Sequence, residues 1–187
     1  MKQRICQFIF HRLLGWKYVV TVPERAKCVI CAAPHTSNTD LFIGKLFYGA
    51  LGRETSFMMK KEWFFFPLGL IFRAMGGIPV HRGKRSSLVD QMTAHFANRN
   101  HFHLAITPEG TRKANPNWKK GFYHIAYQAG VPIVLIGIDY STKTIVADKE
   151  IVPSGDIEKD MVEIKRNFMR FKGRNPQNFA TGLEDEA

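Results

Sequence analysis

Acidic residues are scarce in this chain. It carries 16 Asp and Glu against 27 Lys and Arg in 187 residues, for a formal net charge of +11. An acidic partner surface, whether nucleic acid, anionic lipid or a phosphorylated small molecule, is therefore expected. Cysteine is sparser still. Cys6, Cys28 and Cys31 are an odd number, which gives no paired disulfide framework and suits a reducing compartment. Cys28 and Cys31 form a Cys-x-x-Cys inside an apolar run with no second Cys/His pair, so buried thiols are expected and no metal. Long apolar runs are missing too. No uninterrupted stretch reaches the roughly 18 residues of a membrane span. The nearest approach, Trp63 to Val80, is broken by Pro67, Gly69, Arg73, Gly76 and Gly77 and reads as a buried or interfacial segment. Arg12 and Lys17 interrupt the N-terminal apolar stretch and no small-residue cleavage site follows, so no signal peptide is expected. Internal repeats and low-complexity linkers are also lacking.

Apolar residues, by contrast, are plentiful. The hydrophobic fraction is 45% and 15 residues are Phe, enough for one domain with its own core and suggestive of lipid contact. Short apolar runs alternate with helical stretches, which predicts an α/β domain. Residues 1–20 are expected to form an amphipathic helix with Ile5, Phe8, Ile9, Leu13 and Trp16 on one face and basic residues flanking it. Strands are predicted over 27–33, 56–59, 77–80, 102–106 and 131–138, and a hairpin from 143–147 and 150–153. Helices are predicted over 39–51, 62–75, 86–98, 121–129 and 156–172, the helix at 86 capped by Ser86 or Ser87. Residues 175–187 read as a loose tail.

Four blocks carry chemical interest. In Pro34-His35-Thr36-Ser37-Asn38-Thr39-Asp40, a His and a carboxylate follow a buried strand at the start of a helix. A neutral imidazole suits proton removal from a hydroxyl near pH 7, and a carboxylate on its other nitrogen would fix the tautomer and stabilise the imidazolium. In Gly76-Gly77-Ile78-Pro79-Val80-His81-Arg82, Arg82 ends a short strand where a guanidinium can grip phosphate. Thr107-Pro108-Glu109-Gly110-Thr111-Arg112 presents a carboxylate, backbone N–H groups and an Arg in one turn. Glu109 is expected to hold an acceptor hydroxyl and Arg112 a phosphate. Lys119 and Lys120 add positive charge at a helix entrance, and Val131-Pro132-Ile133-Val134-Leu135 is a core strand. Taken singly, each block also reads as ordinary structure: a loop His with a capping Asp, a surface Arg, a polar turn, a solvated Lys pair.

In this order the four blocks resemble the glycerolipid acyltransferase family, whose pattern is His-x-x-x-x-Asp, a Gly-x-Ile-…-Arg block, Pro-Glu-Gly-Thr-Arg and Val-Pro-Ile. The matches run from Pro34 to Leu135. Departures are Pro79 before the Arg block, Thr107 for a common Phe and Lys113 for a common Ser. The resemblance implies a single α/β domain with a mixed central sheet flanked by helices. It implies His35 as general base, Asp40 as its partner, and Arg82, Glu109, Gly110, Thr111, Arg112, Lys119 and Lys120 as substrate-binding residues. It implies acyl-CoA or acyl-carrier protein as donor substrate, with no bound cofactor and no catalytic metal. A lysophospholipid, foremost 1-acyl-glycerol 3-phosphate, is the expected acceptor.

The expected organisation is a membrane-associating segment over 1–20, an acyltransferase domain over 21–174 and the tail. The expected place is the cytoplasmic face of the cell membrane, held peripherally by residues 1–20 and the Trp63–Phe66 cluster. An amino-acid lipid or lipid A precursor is the alternative acceptor. A basic nucleic-acid-binding domain is the alternative of another class, but no zinc finger or RNA-binding signature is present, so no nucleic-acid partner is expected. A membrane-binding module without activity would leave His35 and Asp40 idle.

Overall fold

The computed structural model describes residues 1–80 and 88–183. A helix α1 (Lys2–Gln7) continues as a π-helical turn, Phe8–Leu13. The chain then alternates β1 (Lys17–Val20), β2 (Lys27–Ala33), α2 (Thr39–Ala50), β3 (Ser56–Lys60), α3 (Leu68–Ala74), β4 (Gly77–Val80), α4 (Leu88–Ala97), β5 (Phe102–Ile106) and α5 (Gly121–Ala129). It ends with β6 (Ile133–Asp139), β7 (Thr144–Ile151), α6 (Ile157–Phe168) and a 3₁₀ turn at Pro176–Asn178. The strands form one sheet in the order β1-β7-β6-β2-β5-β3-β4. All neighbours are parallel except β6 and β7, so the sheet is mixed.

Side-chain alternation along the central strands builds two cores. On one face Val29, Cys31, Leu104, Ile133 and Leu135 pack against α4, α5 and α6. On the other Cys28, Ile30, Val134, Ile136 and Ile145 pack against Phe10, Ile43 and Phe47. Each fully buried large side chain contributes about 1.5–3 kcal/mol. The odd spacing of Cys28 and Cys31 sends the two thiols to opposite faces, where they cannot meet on one ion. Burial pushes Cys28 up to about 12 and Cys31 upward as well, so both stay protonated.

Several sequence expectations need correction. Residues 1–20 are not one helix: the helical segment ends at Leu13, and Lys17–Val20 joins the sheet parallel to β7. Phe10 and Trp16, 0% and 4% exposed, complete a core, while Ile5, Phe8 and Leu13 face outward. The expected face therefore splits between packing and exposure, and residue 20 is no domain boundary. The expected helix over 62–75 is a 3₁₀ turn at Lys61–Trp63 and then α3. The hairpin expected within 143–153 is a single strand, β7, paired antiparallel with β6. Within it Asp148 pairs with Arg170 and Lys149 with Glu163. A register shift between Leu135 and Gly137 turns the strand, so Ile145 and Ile151 enter different cores. The described part of the tail is docked: the Trp118 indole N–H donates to the Ala180 carbonyl at 2.9 Å and Thr181 is buried. The expected cap at Ser86 or Ser87 lies outside the described residues.

Candidate active site

Strand β2 lies between β5 and β6, parallel to both, so the C-terminal ends of all three open on one edge of the sheet. Functional loops of α/β sheets gather there. The loop after β2 carries His35 and leads into α2, whose first turn contains Asp40. Asp40 folds back over this loop. Its Oδ2 accepts from the backbone N–H groups of Thr36 and Ser37, both at 2.9 Å, and from His35 Nδ1 at 3.1 Å. Asp40 is 4% exposed, and these donors fix the direction of its carboxylate within the loop. With Asp40 accepting at Nδ1, that nitrogen carries the hydrogen and the Nε2 lone pair is left open. The five-residue spacing thus produces the expected His–carboxylate pair.

Glu109, after β5, is placed differently from the expectation. It is 2% exposed, and its two carboxylate oxygens lie 2.9 and 3.2 Å from the His35 backbone N–H. The carboxylate therefore grips the His35 main chain instead of presenting itself to an acceptor hydroxyl. Burial pushes it up to about 7. The His35 N–H opposes this rise and the Asp40 charge adds to it. The turn carrying Glu109 is pinned at both ends. Asn115 Nδ2 donates to the Glu109 carbonyl at 2.8 Å, and Lys119 N donates to the Pro108 carbonyl at 2.7 Å.

The cationic candidates fare unequally. Arg112 donates to Asn38 Oδ1 at 2.6 Å, which brings its guanidinium to the His35 loop. The Lys119 side chain crosses Gly110, within 3.2 Å of where a Cβ would stand. Thr111 Oγ1 accepts from Lys113 N inside its own turn. The Lys120 ammonium is paired with Glu158 on α6 rather than left open for a substrate phosphate. Arg82 lies outside the described residues. Among the described residues, no three His, Cys, Asp or Glu side chains come together as metal ligands.

Two neighbours of the site escaped the sequence reading. Tyr140, one residue past β6, donates its hydroxyl to Asp40 Oδ1 at 2.6 Å. Arg174 donates to Thr39 Oγ1 at 2.8 Å, next to Asn175, which donates twice to Thr36. Tyr140 was findable in principle, because it follows a central strand at the same sheet edge as His35. Nothing local marks Arg174, since its place depends on how the segment after α6 returns to the sheet.

Comparison with known proteins agrees with this geometry. The Acyltransferase family model matches residues 18–139. A 1-acyl-sn-glycerol-3-phosphate acyltransferase of Saccharomyces cerevisiae is 29% identical over 167 residues, covering 79% of this chain and 54% of that protein. The chain thus spans about half the length of that curated relative. The crystal structure of the 1-acyl-sn-glycerophosphate (LPA) acyltransferase PlsC from Thermotoga maritima superimposes with a TM-score of 0.60, covering 92% of this chain and 81% of that one. At 18% identity this last likeness is one of fold.

Proposed function

The chain belongs to the acyltransferase family, and from that premise we propose that it transfers a fatty-acyl group from acyl-CoA or acyl-carrier protein to the hydroxyl of a lysophospholipid, foremost 1-acyl-glycerol 3-phosphate. The observation that carries this reading is the His35 Nδ1–Asp40 Oδ2 contact at 3.1 Å, with the His35 backbone held by Glu109. In the proposed reaction, His35 Nε2 takes the proton of the acceptor hydroxyl as its oxygen attacks the thioester carbonyl. Asp40 stabilises the imidazolium that forms. The tetrahedral adduct collapses with cleavage of the C–S bond, and the imidazolium returns its proton to the departing thiolate. The products are an ester and a free thiol, and no covalent acyl-enzyme is needed. Arg112, with Arg82 and Lys119, is assigned to substrate phosphate. Glu109 is assigned to positioning His35.

The same reading places the protein on a lipid surface, at the cytoplasmic leaflet. Trp63, Phe65, Phe66, Leu70 and Ile71 are exposed, Phe66 to 84%, next to Lys60 and Lys61. Ile5, Phe8 and Leu13 add a second exposed apolar set near Arg4 and Arg12. Aromatic side chains mixed with cations suit the interface of an anionic bilayer. Among the described residues no helix is long and apolar enough to cross a membrane.

The test is incubation of the purified protein with a lipid extract and either labelled acyl-CoA or labelled acyl-carrier protein. Labelled phosphatidate is the expected product. Label in an amino-acid lipid or lipid A precursor would move the acceptor, and no labelled lipid with either donor would overturn the proposal.

A further inference from the structure

Asp40 has two oxygens, and only one of them is occupied by the His35 loop. Oδ2 takes His35 Nδ1 and two backbone N–H groups, while Oδ1 meets the Tyr140 hydroxyl at 2.6 Å. The phenol has one hydrogen and two acceptors within reach, Asp40 Oδ1 and, at 3.2 Å, Thr39 Oγ1. The shorter distance and the negative charge assign that hydrogen to Asp40. Tyr140 is itself held on two further sides. Its backbone N–H donates to the Lys172 carbonyl at 2.8 Å, and its ring meets the Trp16 ring edge-on with centroids 4.9 Å apart.

We propose that Tyr140 is a positioning residue of the acyl-transfer site, its O–H occupying Asp40 Oδ1 and sharing the carboxylate charge, which limits how strongly Oδ2 stabilises an imidazolium at His35. This rests on the reaction proposed above. The segment after α6 closes the arrangement from outside. Asn175 N donates to Thr36 Oγ1 at 3.1 Å, and Gly173 passes so near that a Cβ there would lie 2.7 Å from the same oxygen. Burial, with Asp40 as acceptor, pushes the Tyr140 hydroxyl up to about 12, so it remains a donor across the neutral range. The other charged groups around the pair are Glu109 on the His35 backbone, Arg174 on Thr39 and Arg112 on Asn38. None of these donates to Asp40 Oδ1.

Without the phenol hydrogen, the Asp40 charge concentrates on the side facing His35. The imidazolium is then stabilised more strongly, and the neutral base becomes available only at higher pH. The experiment compares the full-length wild type with Tyr140→Phe in two ways: an NMR titration of the His35 ring, and kcat and KM for acyl transfer against pH. The His35 titration and the acid limb of kcat should both move up by on the order of half to one pH unit. KM should stay where it is. In an Asp40→Asn background the same substitution should change kcat by less than about two-fold, because its route of action is gone. An unmoved His35 titration in the folded Tyr140→Phe protein, or equal losses in both backgrounds, would leave the phenol a packing role only. The titration needs no substrate, so it decides the matter even if the wild type transfers no acyl group and the proposed reaction fails.

Discussion

Replacing Glu109 by Gln should change how stability depends on pH. In the folded protein the carboxyl titrates near 7, raised from an ordinary value of 4.5, with burial as the first cause. A carboxyl raised in this way binds its proton more tightly when folded, so its stabilising contribution is complete below about pH 4.5 and is lost as pH climbs through about 7. The interval of about 2.5 units corresponds to about 3 kcal/mol. The amide of the Glu109→Gln variant would keep an oxygen for the His35 N–H but could not ionise. The wild-type unfolding free energy, minus that of Glu109→Gln, should therefore fall by about 3 kcal/mol between pH 4.5 and pH 7.5 in urea titrations. Taking the difference removes other titrations common to both proteins. His95 and His103, lowered mainly by burial, raise stability as pH climbs toward 6.5 in both. Asp139, Asp148 and Asp160 are lowered and act below about 3.8, outside the window. Parallel profiles for the two proteins would refute the placement of Glu109.

Three further outcomes are expected. A Cβ at Gly137 would stand 2.1 Å from the Phe171 ring, so Gly137→Ala should cost about 1–3 kcal/mol in denaturant unfolding through overpacking. Arg112→Ala should raise KM for a phosphate-bearing acceptor about ten- to a hundred-fold, the size of a lost charge-assisted contact of about 1.5–3 kcal/mol, whereas unchanged acceptor kinetics would remove it from the phosphate site. Ser at Phe65, Phe66 and Leu70 together should weaken sedimentation with anionic vesicles without unfolding the protein, and salt should weaken wild-type binding. Those positions are preferable to an N-terminal truncation, which would strip Phe10 and Trp16 from a core.

The central α/β pattern was legible because its strands are short apolar runs bounded by turn residues. β2, β4, β5 and α5 fall where the runs and breakers put them. The edges were not legible. Lys17–Val20 becomes a strand only because β7 offers a partner, and Asp148 and Lys149 sit inside a strand only because Arg170 and Glu163 meet them. At the site, the His35–Asp40 pair followed from spacing at a strand–helix junction. The direction of the Glu109 carboxylate did not follow, because it depends on which strand lies beside β5. Tyr140 offered only its place just after a central strand; its partner is 100 residues away in the chain and is brought near by the pairing of β2 with β6.

The central claim is that the imidazole of His35 removes the acceptor proton. Its most direct test is the steady-state rate of acyl transfer by folded His35→Ala, with acyl-CoA and 1-acyl-glycerol 3-phosphate, beside the wild type. A loss of about 10²–10⁴-fold in kcat, with the same thermal unfolding midpoint, is the predicted result. Transfer at the wild-type rate by the folded variant would contradict it.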